Sequence, residues 1–181
     1  MAQWTFDPTH SNADFAVRHM MVTTVRGGFK EVSGTINYDK NNPAASTVEA
    51  VIKTGSIWTG VGDRDAHLRS ADFLNADVYP EMTFKSNHVE MTGENTAKVT
   101  GDLTIRDVTN PVVLNVELIG EQANPFTGAV TLGFTATTKI DREAFNLTWN
   151  MPLANGGVLV GKEVTITLDV EAVPVTETAN A

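Results

Sequence analysis

The residues best suited to chemistry crowd into one short stretch, Arg64-Asp65-Ala66-His67-Leu68-Arg69-Ser70. Histidine titrates near neutrality, so His67 with Asp65 as its orienting carboxylate would make a general acid–base pair. The spacing works against it. Two residues apart on a helix, Asp65 and His67 point to different sides. The stronger reading is structural. Arg64, Asp65 and Arg69 are expected to form ion pairs that hold a helical insert to a strand end, while Leu68, Phe73 and Leu74 plug an apolar interior. In a third reading Arg64, Asp65, His67 or Arg69 touches the polar head of a ligand.

Other chemistry is sparse. The four histidines, His10, His19, His67 and His88, form no H-x-H or H-E-x-x-H spacing, and the chain has no cysteine. No metal set is therefore readable, nor a thiol nucleophile or disulfide. No G-x-S-x-G elbow, Walker loop or dinucleotide fingerprint occurs, so neither a catalytic residue nor a cofactor is assigned. Gly156–Gly161 reads as a turn between strands, and the Asn146-Leu147-Thr148 sequon as a chance match. The net charge of −9, from 13 basic and 22 acidic residues, opposes nucleic-acid binding and charge-driven docking on anionic lipid. No apolar run reaches membrane-spanning length. The opening Met1-Ala2-Gln3-Trp4 carries no export signal, so the expectation is a cytoplasmic protein; a mature periplasmic form with an added Met would read the same.

The elements that must position these residues have period two. Val112, Leu114, Val116 and Leu118 share one face of a strand, as do Val130, Leu132, Phe134, Ala136 and Ile140 on the next. Val164, Ile166, Leu168, Val170 and Ala172 follow the same rule. Such alternation in Val-, Ile- and Thr-rich segments marks antiparallel strands buried on one face. Phe15, Val17 and His19 share a face earlier, and four further segments between Gly27 and Val108 bring the count to about eight strands. Asp63–Leu74 lacks the alternation and reads as a short helix capped by Asp63, with Pro80 restarting extended chain. Residues 1–175 form one domain and 176–181 a frayed tail. Strands of ten residues, each about 33 Å long and tilted near 40°, would give a barrel roughly 25 Å tall. Period alone leaves sandwich and barrel open, and within a barrel it leaves a filled core and a ligand cavity open.

Ordered motifs then supply a resemblance. The opening "WTFDPTHSNADFAVRHMMVTTVRGGFKEVSGTI" is followed by "SIWTGVGDRDAHLRSADFLNADVYPEMTFKS", "GDLTIRDVTNPVVL", "IDREAFNL" and "VGKEVTITLDVE". Over about 170 residues this order resembles the YceI-like, lipocalin-like proteins. The resemblance implies an all-β fold: an eight-stranded antiparallel barrel with an elongated cavity and a short helical insert near the opening. It also implies a long isoprenoid or other amphiphilic lipid as ligand, a polyisoprenoid or isoprenoid quinone included, with no established catalysis and with room for a homodimer. Asp107 and Asn146 stand where the family usually has Gly, and both types tolerate positive φ.

The resulting expectation is a non-enzymatic lipid carrier. Its tunnel is lined by Phe15, Val17, Phe29, Ile36, Leu68, Phe73, Phe84, Leu103, Ile105, Leu132, Phe134 and Ile140, and its end is ordered by Arg64, Asp65, His67 and Arg69. Two alternatives stand beside it. One is an enzyme acting on a bound lipid through His19 or His67; the other is a filled barrel used for protein contacts.

Overall fold

The computed structural model describes residues 1–175, so the expected frayed tail lies outside the described residues. Eleven strands form one closed antiparallel sheet. They are β1 (Ala2–Phe6), β2 (Asn12–His19), β3 (Thr23–Phe29), β4 (Val32–Tyr38), β5 (Thr47–Lys53), β6 (Ile57–Trp58), β7 (Glu81–Met91), β8 (Thr96–Ile105), β9 (Val108–Ala123), β10 (Val130–Asp141) and β11 (Val160–Pro174). The wall nevertheless has eight staves, because three are interrupted. β1 and β2 both run antiparallel to β11, through Phe6↔Ala172 and Phe15↔Ile166, and so make one broken stave. β3 and β4 pair with β2 and β1 in turn, and β6 and β5 with β3 and β4. The β1–β11 pairing closes the barrel, leaving no long unpaired edge.

Eleven strands against about eight expected leave β1 unread, β3 and β4 merged into one segment from Gly27, and β6 not separated from β5. The five residues of β1 end at the Asp7–Ser11 break, too short for alternation to register. The other strands expected from the pattern are present. Inward residues are apolar except for a few such as Ser86 and Thr138, whereas Asn115, Glu117, Thr135, Lys139 and Asp169 occupy the opposite parity. That is the inverse of a membrane barrel, whose apolar band faces outward. Among the described residues no helix is long and apolar enough to cross a membrane.

Helix α1 (Gly62–Arg69) interrupts the wall between β6 and β7. Its N-cap is Val61, with no side-chain cap, and Asp63 sits in the first turn, not at the cap as expected. There its carboxylate still meets the positive end of the helix dipole. Asn146 adopts φ +60°, as a Gly replacement should. At the β8–β9 turn the positive φ, +57°, falls on Arg106 instead of the expected Asp107. Met20 and Met21, at the β2–β3 turn, are also left-handed, with φ of +49° and +63°.

Candidate functional site

The barrel encloses a cavity of about 330 Å³ that runs nearly its full height. Two different ends bound it. At the helix end lie α1, the Arg106–Asp107 turn and the β10–β11 connection. At the hairpin end lie the connections 39–46, 92–95 and 124–129.

The wall between them is built of cross-strand rows. Phe15 opposes Ile166, Val17 opposes Val164, Phe84 opposes Leu103, and Phe134 opposes Val170 and Leu118. Three rings lie flat against the wall because a glycine is beside each. A Cβ on Gly27 would stand 2.7 Å from Phe15 Cζ, one on Gly34 2.6 Å from Phe6 Cε2, and one on Gly101 2.5 Å from Phe84 Cζ. A larger residue at any of the three would push its ring toward the lumen. Where the wall bulges between Ser86 and His88, the Ser86 hydroxyl accepts the Val48 N–H at 2.8 Å, so this inward polar group is satisfied by the wall itself.

Of the twelve residues named from sequence as tunnel lining, the structure brings eleven to the cavity: Phe15, Val17, Phe29, Ile36, Leu68, Phe73, Phe84, Leu103, Ile105, Phe134 and Ile140. Leu132 is the exception. It is 1% exposed, opposite the fully buried Ala172, but lies outside the cavity. A register shift at Gly133/Phe134, where β9 has an extra residue, separates it from Phe134. Parity placed Leu132 on the correct face; the bulge put it past the cavity's edge.

The helix end is sealed. Leu68, Phe73 and Leu74 reach the cavity from α1 and the turn after it, and Phe145 and Leu147 are 2% and 7% exposed beside them. The polar residues of the stretch hold this plug by bonds other than the expected ion pairs. Asp65, 6% exposed, accepts from the Thr59 backbone N–H at 2.9 Å and from its hydroxyl at 2.5 Å. Arg64 donates to the Thr59 hydroxyl at 2.7 Å and carbonyl at 2.9 Å. Thr59, unremarked in the sequence, is the hub, and Arg69 makes no ion pair among the described residues.

His67 pairs with Asp72 at 2.9 Å, not with Asp65. Its ring is edge-on to Phe73 and Trp149, with centroids 5.1 and 4.7 Å apart. This pair ties the turn after α1 to the helix and to the β10–β11 connection. Arg106 spans the gap to β8: it donates to the Phe73 carbonyl at 3.3 Å and lies over the Tyr79 ring at 5.8 Å.

Arg142 is the group sequence reasoning left without a role. It is 3% exposed and lines the sealed end. Its guanidinium donates to four carbonyls: Leu147 at 2.6 Å, Gly161 at 2.8 Å, Trp149 at 3.0 Å and Val160 at 3.1 Å. Burial pushes its pKa down, opposed by Glu143 and Asp141. "IDREAFNL" was visible as a motif, but nothing in it says that the arginine turns inward.

One cluster with metal-binding residue types does form. Asp7, His10 and Glu171 bring one ligand atom each to within 4.8 Å of one another. The D-x-x-H spacing and the distant Glu171 match no standard sequence pattern. His10 Nδ1 and Asp7 already bond at 3.0 Å. That bond, with those from Thr9, lowers the Asp7 pKa to about 2, and Asp7 in turn raises that of His10.

Comparison with known proteins accords with this architecture. A model described as the YceI-like domain matches residues 4–172. Protein YceI of Escherichia coli O157:H7 is 39% identical over 164 residues, covering 91% of this chain and 82% of that protein. Among solved structures, Burkholderia cenocepacia BcnA superposes with a TM-score of 0.79 at 24% identity, over 92% of this chain and 98% of its own. A polyisoprenoid binding domain from Saccharophagus degradans does so with a TM-score of 0.71 at 15% identity, over 97% and 100%. At those identities the two structures speak to the fold. The family match over nearly the whole described chain, with the bacterial relative, shows that this chain belongs to the YceI-like family.

Proposed function

We propose that the protein binds the long tail of an isoprenoid-type lipid, a polyisoprenoid or isoprenoid quinone, inside the barrel and carries or sequesters it without chemical change. The observation that carries this reading is the continuous apolar cavity, from Leu68 and Phe73 at the sealed end to Leu118 and Phe134 at the other. Family membership and the polyisoprenoid-binding domain with the same fold support it.

The physics favours long chains. Burying one CH₂ contributes about 0.8 kcal/mol, so a five-carbon isoprene unit contributes about 4 kcal/mol gross. Association costs on the order of 4–15 kcal/mol in lost freedom and ordering. The first units offset that cost and later ones supply net affinity, so affinity should rise with chain length until the cavity is full. Such a site needs few polar groups, in keeping with a sequence poor in catalytic motifs.

The test is thermal unfolding of the purified protein with farnesol, geranylgeraniol and a longer polyprenol. A ligand at a hundred times its Kd stabilises by about 2.7 kcal/mol, or roughly 5–11 °C for a domain of this size. Melting that rises with concentration and chain length supports the carrier. Identical melting with and without each lipid would favour the filled barrel.

A further inference from the structure

The chain breaks its first stave at Asp7–Ser11, and the break gathers three side chains on the outside of the barrel. We infer that Asp7, His10 and Glu171 form a binding site for one divalent transition-metal ion of the zinc class, held by an imidazole nitrogen and two carboxylates. The site is separate from the cavity, which none of the three residues lines.

The fold holds the three ligands in place through the backbone. The Asp7 N–H donates to the Glu171 carbonyl at 2.8 Å. The Ser11 hydroxyl donates to that same carbonyl at 3.4 Å and accepts the Glu171 N–H at 3.3 Å. The loop is thus laced to β11 on both sides of His10. Thr9 then orients the Asp7 carboxylate. Its N–H and hydroxyl donate to Oδ1 at 2.8 and 2.7 Å, which leaves Oδ2 to His10 Nδ1 at 3.0 Å. Only the backbone of Glu171 is hydrogen-bonded among the described residues, yet its carboxylate stands within 4.8 Å of the other two ligand atoms. A fixed pair beside a free carboxylate is an incomplete hydrogen-bond set and a complete set of three metal ligands.

Ligand chemistry sets the class of ion. Zinc holds nitrogen and oxygen at about 2.0–2.2 Å, so neighbouring ligands of a tetrahedral ion stand about 3.3 Å apart. The Asp7–His10 pair is already near that spacing, and the ion takes the place of the proton they share. An imidazole in the set disfavours magnesium and calcium, which take oxygen, and the lack of cysteine disfavours soft monovalent copper. Charge agrees. His10 and Glu171 border an outer furrow of about 420 Å³ together with Asp169 and Glu121, and Lys40 beside it is engaged with Glu121 at 3.3 Å. Three protein ligands leave a fourth position to water, and the furrow, into which Gly120 and Gly133 project no side chain, gives that water access.

The experiment titrates zinc chloride into the EDTA-stripped full chain by calorimetry, with thermal unfolding alongside and magnesium chloride as the comparison ion. The expected result is one zinc per chain and, at a hundred times its Kd, a Tm raised by roughly 5–11 °C and restored by EDTA, with magnesium inert. His10→Gln and Glu171→Gln should each weaken zinc at least about tenfold, since even the outer partners of a metal site matter that much. His88→Ala, which removes an exposed histidine of β7, should leave binding unchanged. In the wild-type chain zinc should also shift the His10 ring resonances, a readout that needs no variant. Zinc that binds His10→Gln or Glu171→Gln as tightly as wild type is an adventitious ion only and overturns the inference. So does a wild-type chain that binds no zinc, or His10 resonances that zinc leaves in place. Each of these results leaves the lipid-binding reading untouched.

Discussion

Arg142 should be the most consequential polar residue in the barrel, and Arg142→Met isolates its role. Methionine roughly fills the volume, so the change removes the charge and donors without opening a large void. Three carbonyls, of Leu147, Trp149 and Gly161, lose the guanidinium donor together, while that of Val160 keeps the Asn150 side-chain amide at 2.7 Å. Each buried acceptor left unpaired costs about 1–3 kcal/mol, and some will recruit water as the connection loosens. Removing one side of a buried charged network typically costs about 3–5 kcal/mol. The expected loss is of that size, read as a fall in the urea midpoint with little change in slope, and as a drop in Tm of roughly 6–20 °C. Arg142→Lys should recover less than half, because a single ammonium cannot reproduce a planar fork reaching four oxygens. If Arg142→Met unfolds within about 1 kcal/mol of wild type, the guanidinium does not organise the sealed end and the reasoning is refuted.

Other expectations follow from the same geometry. Asp65→Ala strips Thr59 of its acceptor and should cost about 2–4 kcal/mol, with proteolytic nicking between 59 and 79 appearing first; unchanged protease resistance would count against the Thr59 hub. For Asp7 and His10 the pH window is set by shifts of opposite sign. Asp7 lies below its ordinary 3.8, so its contribution is complete above that value and lost as pH falls through about 2. His10 lies above its ordinary 6.5, so its contribution is complete below that value and lost as pH rises through the raised one. The pair is therefore fully formed between roughly pH 4 and 6.5. In Asp7→Asn an NMR titration should find His10 shifted down toward its ordinary range, and an unmoved His10 would contradict the pairing. Met20→Asn with Met21→Gly places residues that tolerate φ > 0 at the β2–β3 turn and should raise stability by about 1 kcal/mol; a lower melting temperature would mean that the methionine contacts outweigh the strain.

The barrel was legible because its strands are long and half-buried. Alternation through Val112–Leu118 and Val164–Ala172 sets inward parity without any knowledge of neighbours, and parity brought most of the lining residues to the cavity. What alternation cannot show is where it breaks. Leu132 has the same parity as Phe134 and still falls off the cavity, because the bulge opposite it is a property of two strands together. The helix stretch was legible as an insert through its lost alternation, and Leu68 and Phe73 as its plug. Its polar bonds were not. Asp65 binds a threonine before the helix, and His67 an aspartate after it, choices fixed by the local path of the backbone. Arg142 was illegible for a simpler reason: arginine is seldom fully buried, and only the fold gathers four carbonyls around this one.

On the proposed reading, the barrel holds one long apolar chain. Native mass spectrometry of the purified full chain, followed by organic extraction and identification of whatever is released, tests it most directly. The expected result is a stoichiometric adduct that extracts as an isoprenoid-type lipid. A protein that flies at its bare mass and remains bare after incubation with polyprenols and isoprenoid quinones would contradict it.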